Sequence, residues 1–115
     1  MNVSGLLDWF DALPTYRALR QELNEGGSPL PLGLLRAARP AMAAALSRDL
    51  DRPILLATGT VERARALHES IRHWHPYPQR VLRFPEPLAL FYERAPWPQE
   101  TIVGRIEILC QLADP

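Results

Sequence analysis

The sequence predicts an α/β domain. Three short apolar runs that read as strands alternate with stretches whose apolar residues recur at helical spacing, and prolines punctuate the chain between them. That alternation calls for right-handed crossovers: a three-layer, mainly parallel sheet flanked by helices.

Each element has a local reason. Val3, Leu6, Leu7, Phe10 and Leu13 recur as on one face of a helix. Tyr16, Leu19 and Leu23 repeat the pattern after Pro14, which suits the first turn of a second helix. Gly26 and Gly27 supply the left-handed conformation that ends it. These N-terminal helices take up residues 1–28, and residues 29–115 form the α/β subdomain. "PLPLGLL" is the first expected strand, weakened by Pro31, which has no amide to donate. From Ala37 to about Leu50 the alanines favour helix, with Met42, Leu46 and Leu50 four apart and small residues that permit close approach to a sheet. "RPILLAT" is the second strand. Thr60 then caps a helix whose inner face carries Val61, Ala64, Leu67, Ile71 and Trp74. "RVLRF" is the third strand. A final helix starts near Pro98 to Glu100 and is expected to bury Ile102, Ile106, Leu109 and Ala113.

Composition narrows the function classes. Thirteen basic and thirteen acidic residues cancel, so no global field draws the chain toward nucleic acid or an anionic membrane. Cys110 is the only cysteine, which excludes an internal disulfide, and it is expected to pack as a small apolar residue. No run approaches the ~20 apolar residues of a membrane span. A cytoplasmic location is the expectation. The closing "LADP" follows a helix that should lead into another strand, so the chain reads as the front of something longer.

The octamer "GLLRAARP", residues 33–40, sits where a phosphate-binding loop would sit. Laid on GxxxxGK[ST], Gly33 takes the first position, Ala38 the second glycine, Arg39 the lysine and Pro40 the hydroxyl residue. A methyl stands where backbone must approach phosphate, and a planar guanidinium where a lysine ammonium works. A pyrrolidine ring removes both an amide and the magnesium ligand. The spacing alone reads as coincidence or as a decayed loop; a nucleotide site using Arg39 as an unorthodox phosphate ligand is the alternative. His68, His73 and His75 surround Trp74, but on a continued helix His73 and His75 point about 160° apart. A surface or capping role at the helix C-terminus is expected of them rather than metal binding. No G-x-S-x-G, H-E-x-x-H or Cys/His pair supports catalysis. "FPEPLALFYERAPWPQE" reads as a loop anchored by Phe91, Tyr92 or Trp97, or as a partner contact.

Taken together, "LPTYRALRQEL", "GLLRAARPAMAAAL", "RPILLATGTVERARALHESIRHW", "VLRFPE" and "FYERAPWPQETIVGRIEILCQL" resemble the start of the bacterial transcription-repair coupling factors. The resemblance implies the first subdomain of a module related to the excinuclease B subunit, a degenerate P-loop NTPase or helicase lobe. It turns Gly33, Ala38, Arg39 and Pro40 into a loop that lost its chemistry, with no cofactor for this piece and no catalytic residue or metal ligand in it. ATP and magnesium would belong to the parent's motor. The parent would be an ATP-dependent DNA translocase that meets RNA polymerase, DNA and the excinuclease A subunit through other regions. This piece would contact the downstream subdomains of its own chain, with Tyr92, Glu93, Arg94 and Arg105 as candidate junction residues. An aromatic DNA-clamping hairpin, present in the excinuclease B relative, has no room in "EPLALFYERAPWPQ". A small adaptor that takes a partner at an open sheet edge is the remaining alternative.

Overall fold

The computed structural model describes residues 2–27, 31–50, 52–86 and 96–113. It is helical: α1 spans Asp8–Asp11, α2 Pro14–Asn24, α3 Arg39–Asp49, α4 Val61–Trp74 and α5 Gln99–Ala113, with 3-10 turns at Ser4–Leu7, Arg36–Ala38 and Pro78–Arg80. Among the described residues there is no strand, and the expected parallel three-layer sheet is therefore overturned. The reason is pairing. Residues 53–58 and 81–86 do run without a turn or bend, as strand-forming sequences should. A sheet, however, exists only where two such backbones exchange hydrogen bonds, and no such exchange occurs among the described residues. At the first expected strand the backbone instead closes on itself, with Leu34 N–H donating to the Leu32 carbonyl at 2.9 Å.

The helix boundaries follow from local chemistry. Pro14 opens α2 in its first turn, where a missing amide costs nothing. At the other end Gly26 takes φ +78°. Gly27 N–H then reaches the Glu22 carbonyl at 2.9 Å, the left-handed cap that glycine permits. A Cβ on Gly27 would lie 2.5 Å from Glu22 Cγ and 2.9 Å from its carbonyl oxygen, so that position is also sterically closed to other residues. Thr60 Oγ1 accepts from Arg63 N–H at 3.2 Å and starts α4 as expected.

Two compact units make up the chain, Met1–Val81 and Leu82–Pro115. In the first, Leu7, Tyr16, Ala44, Ala45 and Ile71 form a buried cluster, with Phe10, Met42, Leu46, Leu67, Trp74 and Val81 packed around it. The buried residues of α3 are Pro40, Ala41, Ala44 and Ala45. The small side chains foreseen as letting a helix approach a sheet instead let α3 approach α4. The N-terminal segment is tied to the end of α4: Val3 N–H donates to the His73 carbonyl at 2.9 Å, and Asn2 Nδ2 to the His75 carbonyl at 3.0 Å. These bonds satisfy carbonyls that a helix end leaves without partners.

In the second unit, residues 82–86 lie along α5. Gly104 permits this close approach, since a Cβ there would stand 3.3 Å from Pro85 Cγ. The apolar positions of α5 expected in a core, Ile102, Ile106, Leu109 and Ala113, are exposed, and so is Cys110. Periodicity identified the apolar face but not whether a surface covers it. No described helix is long and apolar enough to cross a membrane.

Candidate functional site

The phosphate-loop positions are placed as follows. Gly33 lies in the irregular run before the 3-10 turn Arg36–Ala38, and α3 begins at Arg39 with Pro40 in its first turn. A working loop aims successive free amides at phosphate. Here Ala38 N–H already donates to the Leu35 carbonyl at 3.0 Å, and Arg39 N–H is turned to the Arg36 carbonyl. Pro40 has no amide and its ring is buried. Arg39 is exposed. The two amides nearest the start of α3, Ala38 and Arg39, are thus spent on the bend's own carbonyls.

The three histidines do not converge. His68 Nε2 donates to the Val81 carbonyl at 3.0 Å and His73 Nδ1 to the Glu69 carbonyl at 2.7 Å. His75 caps the C-terminus of α4, as the sequence suggested, but it is 5% exposed rather than on the surface. Among the described residues no group of three or more His, Cys, Asp or Glu side chains is placed to hold a metal ion. His75 Nδ1 lies 2.9 Å from the Tyr77 carbonyl and 3.0 Å from Tyr77 N–H, and Nε2 stands 3.3 Å from Ser47 Oγ on α3. With its proton on Nδ1 the ring donates to the Tyr77 carbonyl, and Nε2 accepts from the Ser47 hydroxyl. Burial pushes the imidazole below its ordinary pKa, and the nearby Arg80 guanidinium adds to this, against the bond to Tyr77.

That shift makes His75 an acid-labile joint between α3, α4 and the N-terminal segment. The folded state holds the proton less tightly than the unfolded chain, so stability falls as pH drops below 6.5 and levels off once the folded state also protonates. Denaturant midpoints at pH about 5 and about 7.5 should differ in the wild type. In His75→Gln this part of the difference should shrink. An equal difference in both proteins would refute the assignment.

Of the candidate junction residues, Tyr92, Glu93 and Arg94 lie outside the described residues, as does Phe91. Arg105 is a local brace: Nη1 donates to the Pro85 carbonyl at 2.8 Å, and the guanidinium lies 4.1 Å from the Phe84 ring centroid and 4.9 Å from that of Trp97. Such stacking binds residues 84–85 to α5.

The most developed polar constellation was not foreseen. The Tyr16 hydroxyl, on a residue 2% exposed, donates to Asp49 Oδ2 at 2.7 Å. Arg48 Nε reaches Asp49 Oδ1 at 2.6 Å, its Nη1 reaches Asp8 at 2.7 Å, and Arg20 bridges Asp11 at 2.9 Å and Asp49 at 3.4 Å. Burial pushes the Asp49 carboxyl up, but bonds from Arg48 and Tyr16 and the charges of Arg48 and Arg20 outweigh it and hold it below the usual carboxylate range. Burial and the Asp49 contact drive the Tyr16 phenol well above its ordinary value, so it stays protonated. A depressed acid and a locked phenol have no proton to exchange near neutral pH; the arrangement fastens α1, α2 and α3. The sequence held one signal for it. Asp8 with Asp11, and Tyr16 with Arg20, stand three and four apart, each pair on one helix face.

A shallow groove of about 330 Å³ lies among Asn2, Glu69, Arg72, His73 and Pro78. Glu69, Arg72 and His73 are exposed to water there. No protein family, curated protein or solved structure matches the chain.

Proposed function

We propose that the chain is a non-catalytic helical scaffold. On the sequence resemblance alone, we place it at the N-terminal end of a transcription-repair coupling factor. The whole protein would be an ATP-dependent DNA translocase that displaces stalled RNA polymerase and recruits excision-repair proteins, with its motor and those contacts outside these residues. One observation carries the scaffold reading: the bend at residues 33–40 directs the amides of Ala38 and Arg39 to its own carbonyls and offers none at Pro40. Phosphate binding there would require breaking the turn that starts α3. The Asp49 network supports the same reading, because it joins three helices through groups held in one protonation state.

Thermal melting with millimolar Mg-ATP tests it. The midpoint should not move. A nucleotide bound with a dissociation constant one hundredth of its concentration would stabilise the fold by about 2.7 kcal/mol. A rise of that size, lost in Arg39→Ala, would establish the nucleotide-binding alternative instead.

A further inference from the structure

Residues 2–11 form a strap within the Met1–Val81 unit. Its 3-10 turn, Ser4–Leu7, lies on both α3 and α4. Leu7 packs there with Ala44 and Ala45 of α3, Ile71 of α4 and Tyr16 of α2, and the two small alanines leave the room it fills. Polar ties flank this knob. Asn2 and Val3 donate to the His75 and His73 carbonyls at the end of α4, Asp8 meets Arg48 at 2.7 Å, and Asp11 meets Arg20 at 2.9 Å. Within residues 2–11 only Leu7 is buried, while Leu6 is 47% and Trp9 75% exposed. One apolar knob and exposed ion pairs place the strap at the low-stability end of its unit.

The groove beneath the strap is held open by groups outside it. Asp49 keeps Arg48 at 2.6 Å, Arg20 at 3.4 Å and the Tyr16 hydroxyl at 2.7 Å, none of which needs the strap. Two guanidinium groups against one carboxylate leave the rim with an excess positive charge, and the two α4 carbonyls call for N–H donors. Such a groove selects a short helical segment with a leucine, acids one and four positions after it, and N–H donors four and five positions before it. We infer that it also takes the strap of a second copy of the chain, so that two copies exchange residues 2–11 reciprocally. The second copy's strap meets each requirement through contacts the fold already uses, and exchange needs no new complementary surface. Only Ala12 and Leu13 join α1 to α2, and so short a hinge favours exchange. Pro14 holds Leu13 extended, at φ −86° and ψ 117°, so the two helices stay jointed rather than fused. A strap on a short linker faces its own groove at an effective concentration in roughly the millimolar range, so exchange shows near that concentration and recedes on dilution.

The test uses the whole chain. Equal amounts of isotope-labelled and unlabelled protein are unfolded together in urea, refolded at about 1 mM and separated by size exclusion with light scattering. A fraction of twice the monomer mass should appear. In that fraction, and not in the monomer, isotope-filtered NMR should show contacts between Leu7 of one copy and Ile71 of the other. Lengthening the hinge by Gly-Ser-Gly between Ala12 and Leu13 should lower the dimer fraction several-fold, because folding back becomes easier. Three results would overturn the inference: a chain that stays monomeric at this concentration, which would leave the groove served by its own strap alone; a dimer without the Leu7–Ile71 contact between copies; or a dimer fraction indifferent to hinge length. None of these bears on the Mg-ATP melting midpoint, which tests the scaffold reading separately.

Discussion

Replacing Asp49 with alanine is expected to destabilise the Met1–Val81 unit by about 3 kcal/mol, measured as the loss in urea unfolding free energy. Its side chain is 9% exposed, and it receives bonds from Tyr16, Arg20 and Arg48. Without it, the buried Tyr16 hydroxyl loses its acceptor, and a buried unpaired hydroxyl costs about 1–3 kcal/mol. The two guanidinium groups keep Asp8 and Asp11, but Asp8 is 76% exposed at its side chain, and exposed pairs of that kind contribute at most about 1 kcal/mol. For a unit of this size the loss corresponds to a fall of roughly 12–24 °C in melting temperature. Asp49→Asn retains an acceptor for Tyr16 and should lose clearly less. Because the folded state depresses the carboxyl, its contribution is complete above the ordinary carboxylate value of 3.8 and disappears as pH falls through the lower folded value. In acid the wild type should therefore converge on the asparagine variant. A cost below about 1 kcal/mol for Asp49→Ala would reduce the network to surface decoration.

Leu7→Ala is expected to cost about 2–5 kcal/mol. Leu7 is fully buried at the junction of the first 3-10 turn and α1, in the cluster with Tyr16, Ala44, Ala45 and Ile71. Truncation removes its transfer energy and leaves a cavity against two alanines, which have no side chain long enough to fill it. Its sequence neighbour Leu6, on the same expected apolar face, is exposed, and Leu6→Ala should change stability by no more than about 0.5 kcal/mol. Equal costs at the two positions would mean that residues 2–11 do not dock as described. Leu7 and Asp49 hold the same short helix from its apolar and its charged side. The double variant should accordingly lose less than the sum of the singles once the helix has already detached.

The helical parts of this fold were legible in the sequence because their signals are local. Pro14, the Gly26–Gly27 cap, Thr60 and the periodic face of α4 each act within a few residues of themselves, whereas α3 buries Pro40, Ala41, Ala44 and Ala45 rather than the expected Met42, Leu46 and Leu50. The expected strands do not form among the described residues for the complementary reason. "PILLAT" and "VLRF" have strand composition and do run straight, yet pairing depends on a second backbone that composition does not mention. The same holds for α5, whose apolar face is legible in its periodicity but is exposed in the fold. At the candidate site, the disabling of the loop at Ala38, Arg39 and Pro40 could be argued from residue chemistry, whereas the internal use of its amides required the turn geometry. The Asp49 network is not legible in the sequence, because its members are spread from Asp8 to Asp49 and each pair alone is an ordinary surface pattern.

By itself the sequence determined where helices start and stop, and which of their faces are apolar, since capping and side-chain periodicity are short-range effects. Only the tertiary structure decided that α3 packs on α4 rather than on a sheet, that His75 is buried and the Asp49 side chain largely covered, and that residues 53–58 form no ladder among the described residues. Burial and backbone pairing are set by groups distant along the chain, and free energy of that origin leaves no mark on any short stretch of residues.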